Sequence, residues 1–285
     1  MTRFDVRGNL AIMSGSENTK EIFMVSLTTF GPQEHARFMD QGYLRLGKPL
    51  SDEGLAALQQ RIDDIMLGNV PYEKMRFQLD SDTGVYSDAP LESVGHKGRT
   101  LTYRKIMDLE QDPLFLAYMQ HPLFRDITRR YIGEGVSIFR AMFMNKPAHR
   151  GTVLPWHQDV GKGWGLDGNP MITVWTALDD ATVANGCMQI VPGSHQLGIL
   201  NERHFVSEAD FAKHALEEKV TYLEAEAGEA ILLHNLLLHR SGVNRTSQSR
   251  RAFSIAYMDA ATLSVSTGQT FPVIFGDNAL KPGNG

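Results

Sequence analysis

The chain has 285 residues, 42% of them hydrophobic, with no long polar or repetitive block, so it can bury one sizeable core. Its formal net charge of −5 comes from interspersed acids and bases, which argues against the broad basic face that a nucleic-acid partner requires. The single cysteine, Cys187, excludes an internal disulfide and a cysteine-rich metal site and fits a reducing, cytoplasmic compartment; the longest apolar runs fall far short of the roughly 20 residues of a membrane span.

Residues 1–27 lack a convincing secretory core and read either as a disordered arm or as a mis-assigned start with Met24 as the true initiator. Residues 34–41 and 52–66 read as helices. The second places Leu55, Leu58, Ile62 and Ile65 on one face, with Ser51 as its N-cap. Between them residues 42–46 alternate as a short strand. Residues 76–99 are rich in Asp, Ser, Gly and Pro and read as a long surface loop that could act as a lid. Residues 114–132 return to a helical pattern, so the first half is expected to be mostly helix and loop.

After Gly135 short apolar or alternating runs recur between turn signals: residues 136–146, 152–158, 171–178, 187–191, 219–223, 230–234, 236–239 and 252–259. This pattern predicts an antiparallel β-sandwich or barrel with helices packed on one outer face, and a helical or irregular insertion over 201–218.

His157 and Asp159 could both point to one side of an extended strand and chelate one cation, although a lone H-x-D tripeptide is weak evidence. A third ligand could come from His234 or His239. Their spacing of five places them on opposite faces of a straight strand, and His239, beside the turn at Ser241 and Gly242, is the better candidate. Two histidines and a carboxylate suit non-haem Fe(II) with open positions, zinc being the chemical alternative. Arg250, with the Ser241 hydroxyl nearby, could fork onto the distal carboxylate of a bound 2-oxoglutarate, whereas Arg245 and Arg251 read as surface arginines.

These pieces occur in an order that resembles the phytanoyl-CoA dioxygenase family of 2-oxoglutarate oxygenases. The matching motifs are Met142-Phe-Met-Asn-Lys-Pro147, Trp156-His-Gln-Asp159, Val174-Trp-Thr-Ala-Leu178, Asn185-Gly-Cys-Met188, Val191-Pro-Gly-Ser-His195 and His239-Arg-Ser-Gly-Val-Asn244. The resemblance implies a mainly β fold with flanking helices and a double-stranded β-helix (jelly-roll, cupin-like) core. Residues 28–285 would form a single domain, helical and loop-like over 28–134, with the core over about 135–262.

The resemblance also implies that His157, Asp159 and His239 hold Fe(II). Arg250 and Ser241 would take 2-oxoglutarate, and Lys105, Met142 and Trp175 would line its pocket; dioxygen is the co-reactant. His195 would be structural. Halogenases of this kind replace the carboxylate ligand with a small residue, so Asp159 favours hydroxylation of a small-molecule substrate over chlorination. The loop 76–99, residues 161–168 and residues 201–218 are expected to border the substrate entrance, where Lys162, His149, Arg150 and Trp164 could meet a substrate. Two alternatives are a metal-dependent cupin-type isomerase or hydrolase that does not use 2-oxoglutarate, and a non-catalytic binding domain of the same fold.

Overall fold

The computed structural model describes residues 30–202, 204–214 and 216–282; the expected N-terminal arm lies outside them, Met24 included. Helix α1 (Pro32–Gln41) starts on a proline whose missing N–H costs nothing there, and it ends at Gly42 with φ 75°. Only glycine fits Gly42, because a Cβ would lie 2.5 Å from Nδ1 of the packed His195 ring. Strand β1 (Tyr43–Gly47) and helix α2 (Asp52–Met66) follow. Ser51 caps α2 by accepting from the Gly54 N–H, and Leu58, Ile62, Ile65 and Met66 face the core.

The next segment departs from the expected loop. Residues Arg76–Leu79 form β2, Ser93–Val94 form β3, and Tyr103–Met107 form β4. Arg76-Phe-Gln-Leu79 alternates with period two, but the run is only four residues long and is followed by turn formers, so the sequence reads it as loop; Phe77 is buried. The stretch before Gly135 therefore supplies four strands as well as helices. The helical region divides into α3 (Pro113–Met119) and α4 (Pro122–Tyr131), since Pro122 cannot continue α3 and instead begins a new helix.

The remaining strands are β5 (Val136–Lys146), β6 (Leu154–His157), β7 (Ile172–Ala177), β8 (Met188–Ile190), β9 (Thr221–Leu223), β10 (Ala230–His234), β11 (His239–Ser241), β12 (Arg250–Asp259) and β13 (Val273–Phe275), with α5 (Glu208–Lys213) between β8 and β9. The expected strand over 236–239 is displaced: residues 236–238 turn, and the strand runs from His239 to Ser241.

All pairings are antiparallel. One sheet has nine strands in the order β1-β10-β7-β12-β5-β4-β2-β3, with β13 added to β5; the other has the order β6-β11-β8-β9. This is the jelly-roll, cupin-like architecture. Period-two alternation gives the major sheet two apolar faces. Ile172, Val174, Leu232, Phe253, Ile255 and Tyr257 pack outward against α2, α3 and α4, while Trp175, Ala177, Ile231, Leu233 and Ala252 pack inward with Met188, Ile190 and Leu223 of the minor sheet. Each large side chain in these layers contributes about 1.5–3 kcal/mol on burial.

Arg251 is not a loose surface residue. It points outward from β12 and reaches Asp63 of α2 at 2.7 Å and Asp179 at 2.8 Å, tying helix to sheet. Among the described residues no helix is long and apolar enough to cross a membrane.

Candidate metal centre and its cavity

His157 ends β6 and His239 begins β11, and the two residues are direct register partners across the minor sheet. Their ring centroids lie 3.9 Å apart. Asp159 is not on the strand, as a strict i, i+2 reading requires; it lies two residues past the end of β6, where its N–H donates to the Asn235 carbonyl at 2.7 Å. The carboxylate still converges, with Oδ1 3.8 Å from His157 Nε2 and Oδ2 3.6 Å from His239 Nε2.

The imidazoles are oriented in the same way. Nδ1 of His157 meets the Pro155 carbonyl at 2.8 Å, and Nδ1 of His239 meets the Leu237 carbonyl at 2.9 Å. A carbonyl only accepts, so each Nδ1 carries the proton and each Nε2 presents a bare lone pair towards Asp159. Burial, followed by the neighbouring His239 and His204, holds His157 well below the usual histidine range and keeps it neutral. Two imidazole Nε2 atoms and a carboxylate converging on one point are a donor set that fits a divalent transition metal.

His234 takes no part. It ends β10 on the outer face, 6.0 Å from Phe38 and 4.9 Å from His195 between ring centroids. The intervening turn, rather than the parity of one straight strand, separates it from His239. His195 is structural, its Nε2 3.0 Å from the Met39 carbonyl.

A cavity of about 340 Å³ opens over the three residues, and Lys105, Met142, Trp175, Ser241 and Arg250 all line it. Arg250 is 2% exposed. Its Nη2 donates to the Gly186 carbonyl at 2.9 Å, its guanidinium lies 6.0 Å from the Trp175 ring centroid, and its Nε has no partner. Gly186 must be glycine for this, because its φ is 80° and a Cβ would meet the Gly242 and Val243 carbonyls at 2.8 Å. Burial lowers the Arg250 pKa to about 10, which leaves a cation at neutral pH. A buried guanidinium that lines the cavity and carries an N–H with no partner among the described residues is a fitting partner for a carboxylate. Lys105 is part of a strand rather than a solvated loop, and burial followed by Arg104 and Arg140 lowers its pKa to about 8.

Of the expected entrance residues, Tyr86, Glu92, Gly163, Trp164 and His204 line the cavity. Lys162 pairs with Glu202 and Arg150 with Asp82 at exposed sites, and neither they nor His149 line the cavity. Among the charged lining residues, Arg104 and Arg140 escaped the sequence reading, and His204 falls within the expected 201–218 segment without having been singled out. Arg140 could have been found by continuing the even-numbered face of Met142 and Met144. His204 lies in a loop with no pattern, yet one of its ring nitrogens is within 4.8 Å of ligand atoms of His157 and Asp159, which makes it a rival to His239 as third ligand.

Comparison with known proteins places this geometry in context. The family model described as "Phytanoyl-CoA dioxygenase (PhyH)" matches residues 38–252. A "Probable phytanoyl-CoA dioxygenase" of Caenorhabditis elegans is 28% identical over 238 residues, covering 79% of this chain and 74% of the relative. The crystal structure of EctD from S. alaskensis with 2-oxoglutarate and 5-hydroxyectoine superposes with TM-score 0.64 at 19% identity, covering 91% of this chain and 85% of that one. The non-heme alpha ketoglutarate dependent epimerase SnoN from nogalamycin biosynthesis superposes with TM-score 0.65 at 18% identity, over 88% and 91%.

Proposed function

The chain belongs to the phytanoyl-CoA dioxygenase family, whose cofactors are iron, 2-oxoglutarate and dioxygen, and from that premise we propose that it hydroxylates a C–H bond of a small-molecule metabolite with release of succinate and carbon dioxide. In this reading residues 28–285 act as one domain. His157, Asp159 and His239 hold the iron. Arg250 and Ser241 take the distal carboxylate of 2-oxoglutarate, with Lys105 as a second positive contact.

The observation that carries this reading is the pairing of two features in one cavity: Nε2 lone pairs freed by the locked Nδ1 atoms, and a buried guanidinium with an unpartnered N–H. A metal-dependent isomerase or hydrolase would need the first and not the second. Iron with 2-oxoglutarate and dioxygen supplies the oxidising power that is spent on the substrate C–H bond.

The chain's own residues do the rest. The carbonyls of Pro155 and Leu237 hold the imidazole tautomers, and the Asn235 carbonyl holds the backbone of Asp159. Met142 and Trp175 line the cavity beside Arg250 and would hold apolar surface against a bound cosubstrate, which would exclude water and strengthen a charge-assisted bond from Arg250. SnoN is an epimerase, so a competing outcome at the same centre is stereochemical inversion.

The test is to supply anaerobically iron-loaded protein with 2-oxoglutarate and a metabolite pool, admit oxygen, and measure succinate together with the mass of any altered metabolite. Iron-dependent succinate with a product heavier by one oxygen atom supports hydroxylation. Absence of iron-dependent succinate would refute the oxygenase reading, and succinate without added mass would redirect it.

A further inference from the structure

The cavity carries more positive charge than the metal and cosubstrate use. Its lining holds five cationic side chains, Arg104, Lys105, Arg140, Arg240 and Arg250, against two carboxylates, Glu92 and Asp159. A divalent metal and a doubly negative 2-oxoglutarate cancel one another, so the cationic excess persists when both are bound. Arg240 already donates twice to Gln189 and lies 4.7 Å from the Trp156 ring. Arg250 and Lys105 are committed to the cosubstrate in the reading above. Arg104 and Arg140 remain.

Neither has a carboxylate within ion-pair distance among the described residues. Arg104 is buried, donates to Gln78 Oε1 at 2.7 Å and lies 4.8 Å from the Tyr86 ring. The Arg140 side chain has no hydrogen bond or ion pair to any described residue; its guanidinium lies 4.6 Å from the ring centroids of both Phe139 and Trp164, which stack on each other. Stripping water from a guanidinium without supplying a counter-charge is costly, and the cost falls when an anion arrives.

Both arginines sit at β-bulges. Gln78 pairs with Lys105 and Leu79 with Tyr103, which leaves Arg104 as the extra residue of β4; it joins Lys105 in the cavity wall, where strict alternation would turn it away. Ala256 pairs with Arg140 and Tyr257 with Ile138, so Phe139 is the extra residue of β5, and its ring meets the neighbouring guanidinium. A second cavity, of about 570 Å³, shares Arg140 and Trp164 with the first, which puts Arg140 at the junction between the metal centre and the outer groove.

We propose that the substrate carries an anionic group, a carboxylate or a phosphate monoester, which docks on Arg140 and Arg104, and that these two residues select anionic over neutral substrates. The inference rests on the oxygenase reading, because it assigns Arg250 and Lys105 to 2-oxoglutarate. The ring shelf of Trp164 and Phe139 orients the Arg140 guanidinium without neutralising it, so its donors stay available to the incoming oxygens.

The test uses protein loaded with Fe(II) and saturated with 2-oxoglutarate under anaerobic conditions, so that the cosubstrate site is filled. Hexanoate and hexyl phosphate are titrated by calorimetry against their neutral counterparts, hexanamide and 1-hexanol. At least one anionic probe should bind about 10-fold or more tightly than its neutral partner. Arg140→Gln and Arg104→Gln should each remove most of that preference, Arg140→Lys should retain part of it, and 2-oxoglutarate affinity should not change in any of the three. Equal binding of charged and neutral probes, no binding of either anionic probe, or a preference that survives in the Arg104→Gln/Arg140→Gln double variant would each overturn the inference while leaving the oxygenase reading intact. Failure of the wild-type protein to bind 2-oxoglutarate at all would overturn that reading and this one with it.

Discussion

The minor and major sheets meet across one cavity but present opposite chemistry to it. From the minor sheet and the loop after β6 come His157, His239 and Asp159, two imidazoles and a carboxylate whose donor atoms converge. From the major sheet come Lys105, Arg140 and Arg250, cations held on strands β4, β5 and β12, whose opposite face contributes to the main apolar core. A metal needs lone pairs and an anion needs N–H donors, and separating them keeps each set from neutralising the other. Substitutions of the major-sheet cations should therefore spare metal binding, whereas Arg240 and Ser241 of β11 carry the minor sheet to the anion side as well.

The largest effect is expected at the minor sheet. His157→Ala or His239→Ala should weaken Fe(II) binding on the order of 100-fold or more in a metal titration, since a three-ligand site loses a ligand. His204→Ala should cost less than about 10-fold; the reverse ranking would move the third ligand from β11 to the 201–218 segment. Next comes the major sheet, where Arg250→Gln should raise the 2-oxoglutarate Kd about 30-fold while metal affinity stays within about twofold of wild type.

The adjacent Arg251 sharpens the comparison because it faces the other way. Burial opposes its charge, but Asp179 and Asp63 more than offset that and raise its pKa above the usual arginine value. Arg251→Ala should cost about 2 kcal/mol in denaturant-induced unfolding and change neither affinity.

The smallest effect lies in the outer cavity, at Glu110, whose pKa burial raises to about 7, with Asp108 adding to the rise. A folded pKa above the unfolded value means that ionisation opposes folding. The penalty is absent below about pH 4.5, grows as pH rises, and is complete above pH 7. Glu110→Gln should thus stabilise the protein by about 1 kcal/mol at pH 8 and leave it unchanged near pH 4.5, as read by unfolding curves at the two values.

Much of this division was legible in the residues. The 3.6-period of α2 with its Ser51 cap and the β5 run are local patterns that the fold keeps, and it brings His157, Asp159, His239 and Arg250 to one cavity although they lie far apart in sequence. The failures have physical causes. The β2 strand hides because it is only four residues long and the residues after it are turn formers, and Arg251 looked like surface charge because its partners lie far away in sequence. Arg104 could not be read as a cavity residue, since alternation turns it away from Lys105 and only the bulge opposite Gln78 and Leu79 reverses that. His204 enters from a loop whose path is fixed by tertiary contacts such as its ring nitrogen on the Gln158 carbonyl at 2.8 Å.

The most direct measurement of the division between the sheets is an anaerobic titration of 2-oxoglutarate into Fe(II)-loaded wild-type, His239→Ala and Arg250→Gln proteins, followed by the visible charge-transfer absorption of iron-bound 2-oxoglutarate. The expected result is a saturable band in the wild type, no band in His239→Ala at metal concentrations that saturate the wild type, and a band in Arg250→Gln that reaches full intensity only at about 30-fold higher 2-oxoglutarate. An undiminished band in His239→Ala, or an Arg250→Gln curve that overlays the wild type, would contradict it.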